Sequence, residues 1–208
     1  MNPLLKSPRL LGSLALACFG FGAVLAMLPQ GSSRNADFIP PAEDLCIVPA
    51  ARLAAALPWD PAAGLHIHAA RPVPAQARCP VCGMYPARYP RWAAQLIFAD
   101  GAAHFFDSPV DLFIFLGDTA RYDPERAGNT VAALYVTDFD TGRWIAAHQA
   151  YFVLGSAVRG PMRGPDLPAF ASRDQASAFA ATQGGEVAAF ADITPARVAK
   201  LRTANHAH

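Results

Sequence analysis

The sequence predicts an α+β domain built from two similar small ββαβ-type units in tandem, behind an N-terminal membrane segment and an extension. Three observations predict it. An Asp-Gly pair sits between two apolar runs, which is a hairpin signal. Two serine-capped helices carry the same flanking residues, Phe106 and Ser108 in one and Phe170 and Ser172 in the other. A long uncharged run near the start comes after two basic residues. With 53% hydrophobic residues over 208, the chain has enough apolar surface for a real core. Its net charge of +1, without basic runs interleaved with aromatics, excludes nucleic acid as a partner.

Taken in order, Lys6 and Arg9 precede residues 10–28, "LLGSLALACFGFGAVLAML". That layout fits a signal sequence or a membrane anchor over residues 1–29 and places the rest of the chain outside the cytoplasm. Cys18 in "LALAC" adds a third option, lipid attachment. Residues 30–77 form a Pro/Ala-rich extension with turn signals at "FIPPAED" and "LPWDPAAG". Within it "VPAARLAAAL" predicts a short helix and "GLHIHAA" a short strand.

Residues 78–200 form the domain, with units at about 78–140 and 141–200. "AAQLIFADGAAHFF" predicts a hairpin about Asp100-Gly101. "SPVDLFIFLGD" predicts a helix capped by Ser108, with Pro109 in its first turn, Asp111 at its positive end and Gly117 as its stop. Strands are expected near 131–137 and 150–155, separated by a turn at Asp140-Thr141-Gly142. "SRDQASAFAATQGG" predicts a helix whose Ser172 and Gln175 have capping-box spacing and whose end is Gly184-Gly185. "EVAAFADI" closes with a strand, and "RTANHAH" reads as a frayed tail with solvated His206 and His208.

The chemistry concentrates in "ARCPVCGMYP". Outside the membrane segment only Cys46, Cys79 and Cys82 remain, an odd count that leaves at least one thiol without an intramolecular partner. A haem tether needs C-x-x-C-H, but position 83 is Gly83. A structural zinc site needs four ligands, and no second C-x-x-C exists, while His66, His68, His104 and His148 lack zinc-finger spacing. A thiol-redox switch suits an oxidising compartment, yet such enzymes place the reactive thiolate at a helix N-terminus. Here Pro86 and Pro90 argue against a helix after Cys82. An inert Cys79–Cys82 disulfide stays open as well. A soft cation such as Cu(I) is served by thiolate and thioether together, and Cys82-Gly83-Met84 offers both within one turn. Met162, in the Gly/Pro-braced loop "RGPMRGP", is a second thioether, and His104 and His148 are candidate nitrogen donors.

"CPVCGM", "FADGAAHFFDSPVDLF", "YVTDFDTGRWIAAHQAYFVLGSAVRGPM" and "AFASRDQASAFAATQGGEV" occur in that order. On these motifs the chain resembles the nitrous oxide reductase accessory protein (NosL) family over about residues 78–193. The resemblance implies a periplasmic, membrane-tethered Cu(I)-binding protein, usually a lipoprotein, whose fold is similar to organomercurial lyase. It implies a non-enzymatic chaperone of denitrification that supplies copper for the copper–sulfide centre of nitrous oxide reductase. Its partners would be that enzyme and its maturation machinery, a membrane transporter complex with a periplasmic component. The family's Cys-Gly-Met falls on Cys82, Gly83 and Met84, and its Gly-Pro-Met loop on Gly160, Pro161 and Met162. The candidate metal ligands are therefore Cys82, Met84 and Met162, with Cys79, His104 and His148 as further donors. A periplasmic thiol-disulfide oxidoreductase using Cys79 and Cys82 is the alternative, and a structural module with a closed disulfide is the third reading.

Overall fold

The computed structural model describes residues 54–205, which fall within one compact unit, Ile47–His208. The expected membrane segment with Cys18, Cys46, the first part of the extension, His206 and His208 lie outside the described residues. Among the described residues no helix is long and apolar enough to cross a membrane.

Antiparallel sheets and separate helices make the molecule α+β. Asp100-Gly101 turns strand β1 (Ala94–Phe98) into β2 (Ala103–Phe106), with Leu96 opposite His104. Gly101 has φ 81°, and a Cβ there would come within 2.5 Å of Ile67, so only glycine fits the turn. Helix α1 (Pro109–Gly117) begins where the Ser108 hydroxyl accepts from the Asp111 N–H at 3.3 Å. A single-turn helix α2 (Thr119–Tyr122) comes next, and β3 (Val131–Thr137) returns beside β1. The turn at residues 140–142 leads into a short strand, β4 (Trp144–Ala146), which the sequence did not announce. The first sheet has the order β2-β1-β3-β4.

The second half carries a smaller sheet of its own. Strand β5 (Tyr151–Leu154) and β6 (Ala169–Phe170) precede α3 (Arg173–Gln183) and β7 (Glu186–Ala189), in the order β6-β5-β7. Ser172 caps α3 by accepting from the Gln175 N–H, and its hydroxyl donates to Gln175 Oε1 at 3.0 Å. Helix α4 (Pro195–Asn205) ends the described chain. Three expectations need correction here. The described end of "VPAARLAAAL", residues 54–57, forms a turn and a bridge to Ala103 rather than a helix. Residues 202–205 are the last turn of α4 rather than a frayed tail, because Val198 and Leu201 dock it on the core. "GLHIHAA" forms turns instead of a strand: Gly64 takes φ 71°, and the Ala69 N–H bonds the His66 carbonyl.

Strand β1 is buried on both faces. Leu96 and Phe98 join Phe106, Phe115, Val136 and Phe152 in the main core, which draws on both sheets and on α1 and α4. Ile97 faces the other way, with Ala103 and Phe105, against Leu57, Val73 and Ala77. The segment at residues 54–77 is thus the second cover of the first sheet. Leu57 exchanges two backbone bonds of 2.8 Å with Ala103, and the buried Gln95 side chain both accepts from and donates to the Arg71 backbone at 3.1 Å. Each large apolar side chain buried this way contributes about 1.5–3 kcal/mol. The two sheets meet at Asp138, whose carboxylate accepts from Thr141 on one side and from the Ala171 N–H at 2.7 Å on the other.

Candidate metal centre

The centre forms where the loop at residues 79–84 meets the first turn of α1. The loop is closed from within: the Cys79 N–H donates to the Met84 carbonyl, and the Gly83 N–H to the Cys79 carbonyl, each at 2.9 Å. Gly83 takes φ 77°, a left-handed conformation that brings the chain back on itself without a Cβ penalty. Pro86 then starts a single 3-10 turn, Pro86–Arg88, so no α-helix grows out of the cysteine pair.

Opposite the loop, the cap at Ser108 leaves Asp107 just before the helix and Asp111 in its first turn, four residues apart on one face. Each thiol meets its own carboxylate: Cys79 donates to Asp111 Oδ2 at 3.2 Å and Cys82 to Asp107 Oδ1 at 3.0 Å. The four donor atoms of Cys79, Cys82, Asp107 and Asp111 all lie within 4.8 Å of one another, and both cysteines are free thiols. Cys79, Asp107 and Asp111 are buried and Cys82 is half-buried, so the group opens to solvent on the Cys82 side.

Burial sets the electrostatics. Desolvation pushes the Cys79 thiol well above its ordinary value, helped by the neighbouring Cys82, Asp111 and Asp107. At Cys82 the hydrogen bond with Cys79 pulls downward, but burial and the carboxylates of Asp111 and Asp107 outweigh it and leave this thiol raised too. Burial and the nearby Asp107 also raise Asp111. Both thiols are therefore protonated near neutral pH, and a cation bound through their sulfurs would release those protons. Asp107 Oδ2, the oxygen that does not bond Cys82, is buried without a hydrogen-bond partner among the described residues. Such an atom costs about 1–3 kcal/mol until a proton or a cation reaches it.

The other four sequence candidates are spread over four places. Met84 is half-buried at the end of the cysteine loop. Met162 is 43% exposed at the tip of a tight hairpin, in which Arg159 bridges Pro165 and the Gly160 N–H bonds the Gly164 carbonyl at 2.9 Å. That hairpin is anchored to the same helix end: Asp166 Oδ1 accepts from the Val110 and Leu167 N–H groups. Gly160 packs so tightly on Asp166 that a Cβ would lie 2.1 Å from Oδ2. His104 lies elsewhere, buried among Phe98, Phe106 and Phe115 with its Nε2 2.7 Å from Asp123. His148 is exposed on a 3-10 turn, its ring 4.1 Å from that of Phe190. Neither histidine belongs to the Cys79–Asp111 group. In the sequence Asp111 reads only as a helix-end charge and Asp107 goes unnoticed; the signal available is their four-residue spacing about a serine cap.

The family model described as NosL matches residues 70–198. A copper-binding lipoprotein NosL from Achromobacter cycloclastes is 38% identical over 130 residues, covering 56% of this chain and 63% of that protein. The copper-binding lipoprotein NosL from Stutzerimonas stutzeri is 30% identical over 136 residues, covering 62% and 67%. The crystal structure of the copper chaperone NosL from Shewanella denitrificans aligns with a TM-score of 0.52 at 29% identity, over 62% of this chain and 98% of that one. The chain spans less than two thirds of the Achromobacter relative's length. Since the family model covers more than half of the sequence, the chain belongs to the NosL family.

Proposed function

We propose that the chain is a copper(I) chaperone that carries the ion at the Cys79–Cys82–Met84 loop and delivers it for the maturation of nitrous oxide reductase. The observation that carries this reading is the convergence of two free thiols with two carboxylates at a loop that ends in a thioether residue. Cu(I) is soft and favours sulfur, so Cys82 and Cys79 are the tight ligands, and Met84 and Met162 the neutral, exchangeable ones. Relatives named copper-binding lipoprotein and copper chaperone support the cargo. They also support a periplasmic protein tethered by its N-terminus, by lipid on Cys18 or by residues 10–28. The shared ββαβ order of the two halves supports reading the domain as two related units.

The oxidoreductase alternative is disfavoured by the same geometry. A redox thiol is activated by a lowered pKa, whereas both thiols here are raised and Cys79 is only 1% exposed. Competition with a Cu(I) chelator under anaerobic conditions tests the proposal. Wild type should hold copper and Cys82→Ser should not. Equal retention by the two proteins would reject the site.

A further inference from the structure

The cysteine loop is bordered by positive charge that the described chain does not neutralise. Between Asp60 and Asp100 the only charged residues are Arg71, Arg78, Arg88 and Arg91. The ion pairs among the described residues are His104–Asp123, Arg126–Asp100 and Arg197–Glu186, and none of the four arginines takes part. Arg71 and Arg91 are engaged in the fold: Arg71 bonds the Ile67 and Gly101 carbonyls, and Arg91 the Phe139 carbonyl.

Arg78 and Arg88 are placed differently. Their guanidinium carbons lie 4.2 and 4.8 Å from the ring centroid of the same residue, Tyr85. Arg88 is exposed, and its guanidinium makes no hydrogen bond to a described residue, so stacking holds it while its N–H edge faces water. Arg78 donates one arm to the Gly83 carbonyl at 3.1 Å and the other to the Tyr85 hydroxyl. It therefore holds the residue that lies between Cys82 and Met84.

We propose that Arg88, Tyr85 and Arg78 form a docking surface for a carboxylate-bearing face of the protein that receives the copper. In the same event a docked carboxylate draws Arg78 off the Gly83 carbonyl and loosens the Cys82-Gly83-Met84 turn. The inference rests on the copper-carrying reading and adds the partner's chemistry and a trigger for release. A guanidinium presents a planar fork that fits a carboxylate with two parallel hydrogen bonds. Stacking on Tyr85 pre-organises both forks, which lowers the ordering cost of binding. Two cations beside one ring, unpaired within the described chain, attract an anion from outside and make the encounter faster and salt-sensitive. A protein partner fits better than a membrane. The exposed large apolar side chains among the described residues are Leu65 and Met162, and neither belongs to this patch.

The test uses the full chain, as wild type, Arg88→Glu and Arg88→Ala, with fluorescent hexaglutamate as the acidic probe. Wild type should bind the peptide with an affinity that falls as sodium chloride rises. Arg88→Glu should lose about tenfold or more and Arg88→Ala less. Saturating hexaglutamate should speed Cu(I) loss from wild type to a chelator several-fold, and Arg88→Glu should be indifferent to it. Equal peptide binding by Arg88→Glu would overturn the docking surface, and an unchanged release rate would overturn the trigger. Arg88-dependent binding to phosphatidylglycerol vesicles in place of the peptide would replace the protein partner with a lipid surface and so overturn the proposal. Copper retention by each variant is read separately. A wild type that takes up no Cu(I) defeats the cargo reading, while peptide binding alone still decides the surface.

Discussion

Cys79 and Cys82 differ in their surroundings, and the difference divides their roles. Cys79 is 1% exposed and bonded to the buried Asp111, whereas the half-buried Cys82 faces the open side beside Asp107. On the proposed reading, Cys82 is the sulfur that an incoming ion would meet first. Cys82→Ser should abolish Cu(I) retention, and Met84→Leu should weaken it by about tenfold, the scale of one lost neutral ligand. Because both thiols are raised by burial, they hold protons that copper would have to displace if it binds through them. Affinity should therefore climb with pH, by about tenfold per unit for each proton released, as read by chelator competition from pH 6 to 8. An affinity flat over that range would mean that the thiols do not ligate as thiolates. The cysteine pair and the thioether were legible in the sequence as candidate donors because C-x-x-C-G-M is a local pattern. The carboxylates were not, because Asp107 and Asp111 reach the cysteines only through the packing of α1 against the loop, across a separation of 25 residues for one pair and 32 for the other.

At the scale of elements, α1 is the frame on which the centre hangs. Its serine cap orients the two aspartates, and Asp166 ties the Met162 hairpin to the same first turn. Ser108→Ala should destabilise the fold by about 1 kcal/mol in urea unfolding, the usual value of such a cap. Asp166 is buried, and that burial raises its carboxyl to about 8 from an ordinary 3.8. Its folded pKa lies above its unfolded one, so its contribution is complete below about pH 4. It then declines by about 1.4 kcal/mol per pH unit until both states are ionised near pH 8. Asp166→Asn should remove that decline from a series of melting temperatures between pH 4 and 8; an unchanged slope would contradict the assignment. Helices α1 and α3 were legible because serine caps, a first-turn proline and terminal glycines act locally. Strand β4 has three residues and pairs, among the described residues, with β3 alone, too short for a pattern to show. Helix α4 has a sparse apolar face, chiefly Val198 and Leu201, so its helicity comes from docking rather than from a strong stripe.

At the scale of the molecule, β1 is the hidden centre, covered by α1 on one face and by residues 54–77 on the other. The composition of the extension pointed to turns; the face it covers could be read only from the fold, since Gln95 and Arg71 meet across the sheet rather than along the chain. Deleting residues 54–77 should expose Ile97 and Phe105, lower the melting temperature and raise binding of a hydrophobic dye. Within this covered scaffold the central proposal is that the cysteine loop holds a monovalent copper ion through sulfur. Anaerobic loading of the full chain with one equivalent of Cu(I), read by copper X-ray absorption, tests it most directly. The predicted result is a scatterer shell dominated by sulfur that disappears in Cys82→Ser. A shell of nitrogen and oxygen, unaltered by that substitution, would contradict it.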